Sequence, residues 1–448
     1  HNFGLEQSTR HFPQYLSIGF SITFIIQHHN TLVMVNSWIF LLAFQNLASY
    51  FTGRIAPDEH VIFFPTSASQ WNATHWYVPI HGWIFQPKES SLKRKAFRSL
   101  LRRVLKVPPK SPEERILNRR ITTFVVDNER WKRPKITIAG RQYSMTPSSR
   151  NGHFRTSLIL SEDEIAPDSL SSSSSIFSTP TPSGVPFFAE SSQGENRYYG
   201  RVHLLPPQGI TILSDVDDTI KVTNVVNKQE MLRNTFLREF EPVPGMAQVY
   251  QQWCSLSSSS SCSSSSSSSS SLSTRNGDPP HVHLHFLSAS MYQLYEELEH
   301  FRAKSGFPSA TYSLKIVRPK KAKEMIRILL EDAMDYKRRV LQNMFDMYPH
   351  RHFVLVGDTG EKDPQVYASM AQDYPHQVLH IYLRHVAKQP DDNVLARVQE
   401  TMKEYGIEDD KWTVFENANT LLSSNLQQIW LDHLQTHPQA SQGQTSSS

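Results

Sequence analysis

The chain has 448 residues, of which 38% are hydrophobic and 11% aromatic, with a formal net charge of +4. That length and apolar content exclude a wholly disordered or fibrous chain and allow two or three domains with cores of their own. A charge so near balance excludes a bulk polyelectrolyte, and the two cysteines, Cys254 and Cys262, lie in or beside a serine tract, which argues against a disulfide framework or a cysteine zinc site.

Residues 1–56 are partly apolar and belong to no clear domain. Apolar runs at 15–26 and 31–44 are split by Gln27-His28-His29-Asn30. Each is shorter than the roughly 20 residues a spanning helix needs. The stretch from Met34 has the apolar character of a signal segment but lacks a basic region before it. We read these runs as a buried helix or as residues foreign to the native gene product, with anchoring or secretion as the alternative.

From 57 to 208 the pattern is short β-branched or aromatic runs separated by turn residues, which predicts a mainly β, sandwich-like domain. Two segments interrupt it. In 91–106, Leu92, Ala96, Phe97, Leu100, Leu101, Val104 and Leu105 fall at helical spacing and seven basic residues fill most of the rest, with no acidic residue. This is either a solvated helix docked on the β domain or an interfacial helix that meets anionic lipid through Arg98, Arg102 and Arg103. Aromatic interleaving is absent, so no nucleic-acid partner is expected. Just beyond, Lys106, Pro109 and Pro112 fit the basic-xxPxxP register of SH3 ligands, although prolines also stop helices. The second interruption, a Ser/Pro-rich stretch at 167–195, predicts a disordered loop.

From 209 to 433 strands and helices alternate, which predicts an α/β domain with a parallel sheet covered on both faces. Strands are expected at 210–214, 281–288, 352–357 and 378–383, and helices include 291–304 and 336–348. Residues 255–273 hold sixteen serines in nineteen positions, a composition that cannot bury a core and reads as a solvated insertion. The tail, 434–448, reads as disordered.

The first of these strands ends in Asp215-Val-Asp217-Asp218-Thr219. Carboxylates gathered at the end of a buried strand repel one another unless something cationic is present. A turn or a helix cap would also explain such residues. Three later features favour chemistry. Ser288 ends the second strand, Lys337 opens a helix, and Gly357-Asp358 with Asp363 ends a further strand. A parallel sheet brings strand ends to one edge, where catalytic groups gather. His281, His283 and His285 alternate on one strand face, but without an adjacent acidic or cysteine ligand they read as a polar sheet face rather than a metal site.

The ordered set resembles the haloacid dehalogenase superfamily of phosphotransferases. More closely, "PPQGITILSDVDDTIKVTNV", "HFLSASMYQLYEEL", "DYKRRVL" and "FVLVGDTGEKDPQVY" resemble the actin patch protein family of phosphatidate phosphatases, relatives of the lipins. "DEHVIFFPTSA" and "VPIHGWIFQP" are similar to the region before that family's catalytic domain. The resemblance implies a Rossmannoid phosphatase that hydrolyses phosphatidate to diacylglycerol with Mg²⁺. It implies Asp215 as nucleophile, Asp217 as acid and base, and Ser288 and Lys337 as phosphate partners. The metal would be held by the Asp215 carboxylate, the Asp217 carbonyl and Asp358, with Asp363 ordering water. It also implies a cytoplasmic enzyme at a phosphatidate-containing membrane or the cortical actin patch, with SH3-domain proteins as partners. Two alternatives stand beside it: a phosphatase of the same type for another phosphoester or phosphoprotein, and a non-enzymatic cortical adaptor.

Overall fold

The structure, a computed structural model, describes residues 24–28, 31–35, 53–87, 92–165, 184–257, 279–317, 324, 326–328, 333–387 and 393–436. Phe24–His28 (β1) and Thr31–Val35 (β2) pair as an antiparallel hairpin. Where described, the apolar runs form strands rather than the expected buried helix, and the rest of both runs lies outside the described residues. Their β-branched content favours extended backbone.

Nine strands build the first large unit. They are β3 (His60–Phe64), β4 (Thr66–Asn72), β5 (His75–Gln86), β6 (Asp127–Asn128), β7 (Lys135–Ile138), β8 (Arg141–Ser144), β9 (His153–Ser161), β10 (Gly184–Glu190) and β11 (Arg197–Leu205). The long β5 is the spine, pairing with β3, β4, β6 and β9. All nine strands belong to one hydrogen-bonded sheet, not two. The sheet folds over its own core: Phe63 of β3 meets Phe187 of β10 edge-on, with ring centroids 4.8 Å apart, and Phe154 of β9 at 5.8 Å. Phe154 and Phe187 each lie over their glycine partner on the neighbouring strand, so a Cβ at Gly82 or Gly200 would fall 2.2 Å from Phe154 or Phe187. The expected disordered loop is corrected over its described part: 184–190 is β10, with Val185, Phe187 and Ala189 buried on one face, while 167–183 lies outside the described residues.

Two helices, α1 (Leu92–Val104) and α2 (Pro112–Arg120), are inserted between β5 and β6. Ser111 caps α2 by accepting from the Glu114 N–H at 3.1 Å, and Pro112 opens it, where a missing N–H costs nothing. This corrects the SH3 expectation. Pro112 is helical, and Lys106 and Lys110 have φ of 52° and 60°, so the segment is not a polyproline II ligand.

The second unit is a six-stranded, all-parallel sheet of β12 (Ile210–Asp215), β13 (Val282–Met291), β14 (Thr311–Lys315), β15 (His352–Asp358), β16 (Val378–Arg384) and β17 (Trp412–Phe415). The order is β14-β13-β12-β15-β16-β17. Counted along this sheet, that is the 3-2-1-4-5-6 order of a doubly wound Rossmann-type domain. Every residue of β12 and β15 is buried, as the near-continuous apolar strands require when helices cover both faces. One face carries α3 (Lys228–Phe236), α4 (Met246–Ser255), α5 (Tyr295–Lys304) and α9 (Leu426–Thr436); the other carries α6 (Met334–Met347), α7 (Asp363–Asp373) and α8 (Val394–Glu404). The serine tract leaves after α4 and returns before β13. Its described ends are joined, since the Val282 N–H donates to Ser257 Oγ at 2.7 Å, whereas 258–278 lies outside the described residues. The tail expectation is also shortened: α9 runs to Thr436, and 437–448 lies outside.

A sequence boundary near 208 separates the two sheets but not the two cores. Phe97, Leu101 and Leu105 of the α1 region are buried in one cluster with Leu117, Phe124, Met231, Leu232 and Phe236. Arg233 Nη1 donates to the Leu105 carbonyl at 3.0 Å, and the buried Arg120 donates to the Asn234 carbonyl at 3.1 Å. The α1–α2 insertion thus belongs by topology to the first unit and by packing to the second. Among the described residues, no helix is long and apolar enough to cross a membrane.

Candidate active site

Asp215 is the last residue of β12, and the chain leaves the sheet through a tight loop. Asp218 takes φ of 57°, a left-handed conformation that Asp tolerates better than most side chains. Its carboxylate accepts the backbone N–H groups of Thr223, Asn224 and Val225 at 2.8, 2.9 and 2.7 Å. The third aspartate of the motif is therefore the hub that folds the 218–225 loop back over the strand end. Thr219 braces the same turn, its hydroxyl donating to Asp215 Oδ2 at 3.3 Å.

Later strand ends converge on this loop. Lys337, in the first turn of α6, places Nζ 2.7 Å from Asp215 Oδ1, 3.2 Å from Glu361 Oε2 and in contact with Asp363 Oδ1. Asp358 ends β15. Its Oδ1 accepts the Gly360 and Glu361 N–H groups at 2.6 and 3.1 Å, while its Oδ2 is buried without a hydrogen-bond partner. Asp363 opens α7 and accepts the Asp358 N–H at 3.3 Å.

Charge is out of balance in this cluster. Asp215, Asp358, Glu361 and Asp363 face a single ammonium, that of Lys337. Burial raises the Asp215 carboxyl well above its usual range; Lys337 opposes this, and Asp363, Glu361 and Asp358 add to it. Burial and the Asp363 and Glu361 charges raise Asp358 in the same way. Burial alone would lower Lys337, but Asp215, Asp363 and Glu361 hold its ammonium well above the usual lysine range. One oxygen each from Asp215, Asp358 and Asp363 lies within 4.8 Å of the others. An all-oxygen set with surplus negative charge and one unsatisfied buried carboxylate oxygen fits a hard divalent cation.

Asp217 lies beside this group but in a different environment. Lys221 Nζ is 2.7 Å from its Oδ1, the Thr223 hydroxyl donates to that oxygen at 2.8 Å, and the Ser288 and Ser290 hydroxyls donate to Oδ2 at 3.1 Å each. Burial would raise its carboxyl, but Lys221 and the hydroxyls outweigh it and bring it down to about 2. Its side chain is 15% exposed against 2% for Asp215, so the site opens to solvent on the Asp217 side.

Each residue expected from the sequence is thus placed. Asp215, Asp217, Ser288, Lys337, Asp358 and Asp363 converge at the carboxyl edge of the sheet. Arg98, Arg102 and Arg103 do not join them; they sit on the exposed side of α1. Lys106, Pro109 and Pro112 lie in the α1–α2 connection. Sequence reasoning missed Lys221, Thr223, Ser290 and Glu361. Ser290 lies two residues beyond Ser288, on the same strand face, a legible signal. Glu361 lies within the Asp358–Asp363 loop. Lys221 and Thr223 reach Asp217 only because Asp218 folds the loop, and that is not visible in the residue pattern.

A doubly wound parallel sheet with these carboxylates and one lysine at its carboxyl edge defines a Rossmann-type domain with a candidate metal site. Residues 210–385, which run from the first residue of β12 to the residue after β16, match the family model described as the catalytic domain of phosphatidate phosphatase APP1. The chain is 26% identical over 192 residues to an uncharacterized protein of Schizosaccharomyces pombe, covering 42% of this chain and 27% of that one. It is also 26% identical over 181 residues to phosphatidate phosphatase APP1 of Saccharomyces cerevisiae, covering 40% of this chain and 26% of that one. These findings support, for residues 210–385, the likeness to the phosphatidate phosphatase APP1 family that the sequence resemblance implies. The chain spans about a quarter of the length of the curated relatives it matches.

Proposed function

We propose that the chain is a Mg²⁺-dependent phosphatidate phosphatase of the haloacid dehalogenase type, releasing diacylglycerol and phosphate through an aspartyl-phosphate. The observation that carries this reading is the buried Asp215–Lys337 contact at 2.7 Å with Asp217 two residues on, beside a cluster that is short of positive charge. Asp215, Asp358, Asp363 and the Asp217 carbonyl would hold the ion. When bound, it supplies the charge that lets a phosphate dianion approach three carboxylates.

The chain's own residues account for the rest. One Asp215 oxygen attacks phosphorus as the bond to the lipid oxygen breaks. Lys337 remains charged throughout and neutralises both the aspartyl group and a phosphate oxygen. Asp217 gives a proton to the departing diacylglycerol oxygen. It later takes one from the water that attacks the aspartyl-phosphate, so the proton and the carboxylate are both restored. In the resting structure Asp217 is held as a carboxylate by Lys221, Thr223, Ser288 and Ser290. An arriving phosphate draws Ser288 and Ser290 to its oxygens and adds negative charge nearby. Both changes raise the proton affinity of Asp217 toward what an acid needs. The reading carries with it a cytoplasmic, peripheral location, the cortical actin patch included.

The test is phosphate release from phosphatidate in mixed micelles, with Mg²⁺ and with EDTA, compared with lysophosphatidate and soluble monoesters. Mg²⁺-dependent release that prefers phosphatidate is expected. Equal turnover of soluble esters without a lipid surface would replace the lipid reading with that of a general phosphoester phosphatase. No turnover of any ester would favour the adaptor.

A further inference from the structure

We propose that the exposed basic face of α1 is a docking surface for an anionic bilayer, held in fixed register with the loop that covers the active site. The inference deepens the phosphatase reading, since it says how the chain is held at a lipid surface; the binding it describes does not require that reading to hold.

The helix has two faces with different fates. Phe97 and Leu101, with Leu105 just beyond, are buried in the shared core, so the middle of the apolar stripe is used in folding, while Leu92 and Val104 at the two ends of the helix stay exposed. On the other side, Lys95, Arg98, Ser99, Arg102 and Arg103 line an open cup of about 450 Å³. Of these, Arg102 is 3.1 Å from Glu114. Lys95, Arg98 and Arg103 have no acidic partner among the described residues. A structural helix has no need of such a face. Three uncompensated cations on one wall of a cup repel one another, and an anionic surface relieves that repulsion. The guanidinium groups suit phosphate oxygens in particular.

Position makes the surface functional. The α1 segment is fastened to α3 by the Arg233–Leu105 hydrogen bond, and α3 follows directly on the 218–225 loop that carries Lys221 and Thr223 to Asp217. Binding through this face is electrostatic, and it fastens the charged surface to the helix that follows the Asp217 loop. Removing three charges should weaken partition about a hundredfold, at roughly fivefold for each basic group near an anionic bilayer.

The experiment is co-sedimentation of the full chain, in EDTA, with three kinds of vesicle: phosphatidylcholine alone, with phosphatidylserine, and with phosphatidate. Wild type is compared with Lys95→Gln/Arg98→Gln/Arg103→Gln and with Arg98→Lys/Arg103→Lys, each at two salt concentrations. Melting temperatures report whether the variants fold. Wild type and the lysine variant should bind both anionic vesicles, less at high salt, while the glutamine variant loses about a hundredfold at an unchanged melting temperature. Binding to phosphatidylcholine alone as strong as to anionic vesicles overturns the proposal. So does equal binding by the glutamine variant, or tighter binding of a DNA duplex through the same residues. Charge-dependent binding to phosphatidylserine vesicles together with no hydrolysis of phosphatidate would leave the docking surface standing and remove the phosphatase reading. If the glutamine variant melts early, the lysine variant and the salt dependence of wild type decide instead.

Discussion

The two ends of the parallel sheet bury ionisable groups in opposite ways. At the carboxyl end, Asp215, Asp358 and Asp363 are drawn together against one lysine, and their surplus charge calls for a cation. At the amino end, His203, His281, His283 and His285 gather beside the first sheet, and none needs a counter-charge. Burial lowers His203 to about 4 and His281 and His285 to about 3, so all three are neutral at pH 7. Hydroxyls partner two of them: Thr311 Oγ1 is 2.9 Å from His283 Nε2 and 2.7 Å from His285 Nδ1, and Ser313 Oγ is 3.0 Å from His285 Nε2. Arg351, whose charge helps lower His281 and His283, adds a further cost to any cation there. Among the described residues, only the aspartate group could hold a metal. A group that surrenders its charge on burial cements the fold. A group that keeps it, at the cost of repulsion, is set up for chemistry.

Substitutions at the two ends should therefore fail differently. Asp215→Asn should remove turnover by on the order of 10³-fold or more, because the amide is no nucleophile, while the melting temperature holds or rises. Single-turnover assay and calorimetry on one preparation check both; a variant that is inactive only because it unfolds would erase the contrast. Next in size is the response to metal. Mg²⁺ at about 100 times its dissociation constant should stabilise the wild type by about 2.7 kcal/mol. Asp358→Asn should lose that response and, in EDTA, melt above wild type, since it removes a buried carboxylate with one unsatisfied oxygen. Melts with and without Mg²⁺ decide it, and a wild type indifferent to Mg²⁺ would break the comparison at its root.

Acid should then separate the ends by sign. The histidines bind protons more weakly folded than unfolded. Their contribution is complete above about pH 6.5 and is lost as pH falls toward about 3, at about 1.4 kcal/mol per pH unit for each. His285→Gln should remove one such share of the slope between pH 6 and 5 in urea melts; an unchanged slope would mean that His285 is not neutral in the fold. Asp215 and Asp358, raised in the folded state, act in the other direction in metal-free protein, where protonation relieves repulsion. The smallest effect belongs to the serine tract. Its ends are already joined by the Ser257–Val282 hydrogen bond at the amino end of the sheet, away from the carboxylates. Replacing 259–277 with a short Gly/Ser linker should leave turnover and melting temperature within error, since loop length enters stability only logarithmically. Lost turnover would tie the tract to the site.

Chemistry was more legible in the sequence than packing. Asp215, Lys337, Asp358 and Asp363 announce themselves because parallel strands and the helices after them deliver residues to one edge whatever the details. Lys221 did not, because its role depends on a loop folded by three hydrogen bonds to Asp218. The strand at 184–190 was hidden by its serine-rich approach, although Val185, Phe187 and Ala189 alternate as a strand should. The periodicity of α1 told that one face is apolar. It could not tell that Phe236 and Leu232, far along the chain, cover it. Nor could it show that the nine strands close as one sheet, since pairing partners are set by contacts between distant segments.

The shared core around α1 and α2 has a consequence for inheritance. The segment that matches the family, 210–385, carries every carboxylate of the site but not the helices from 92–120 and 426–436 that close its hydrophobic interior. Copied alone into another gene, it would arrive with Phe236 and Leu232 stripped of their cover. The catalytic segment is thus a poor candidate for domain shuffling. Selection must act on the two units as one piece, so that drift in a surface helix of the first is felt as instability in the second.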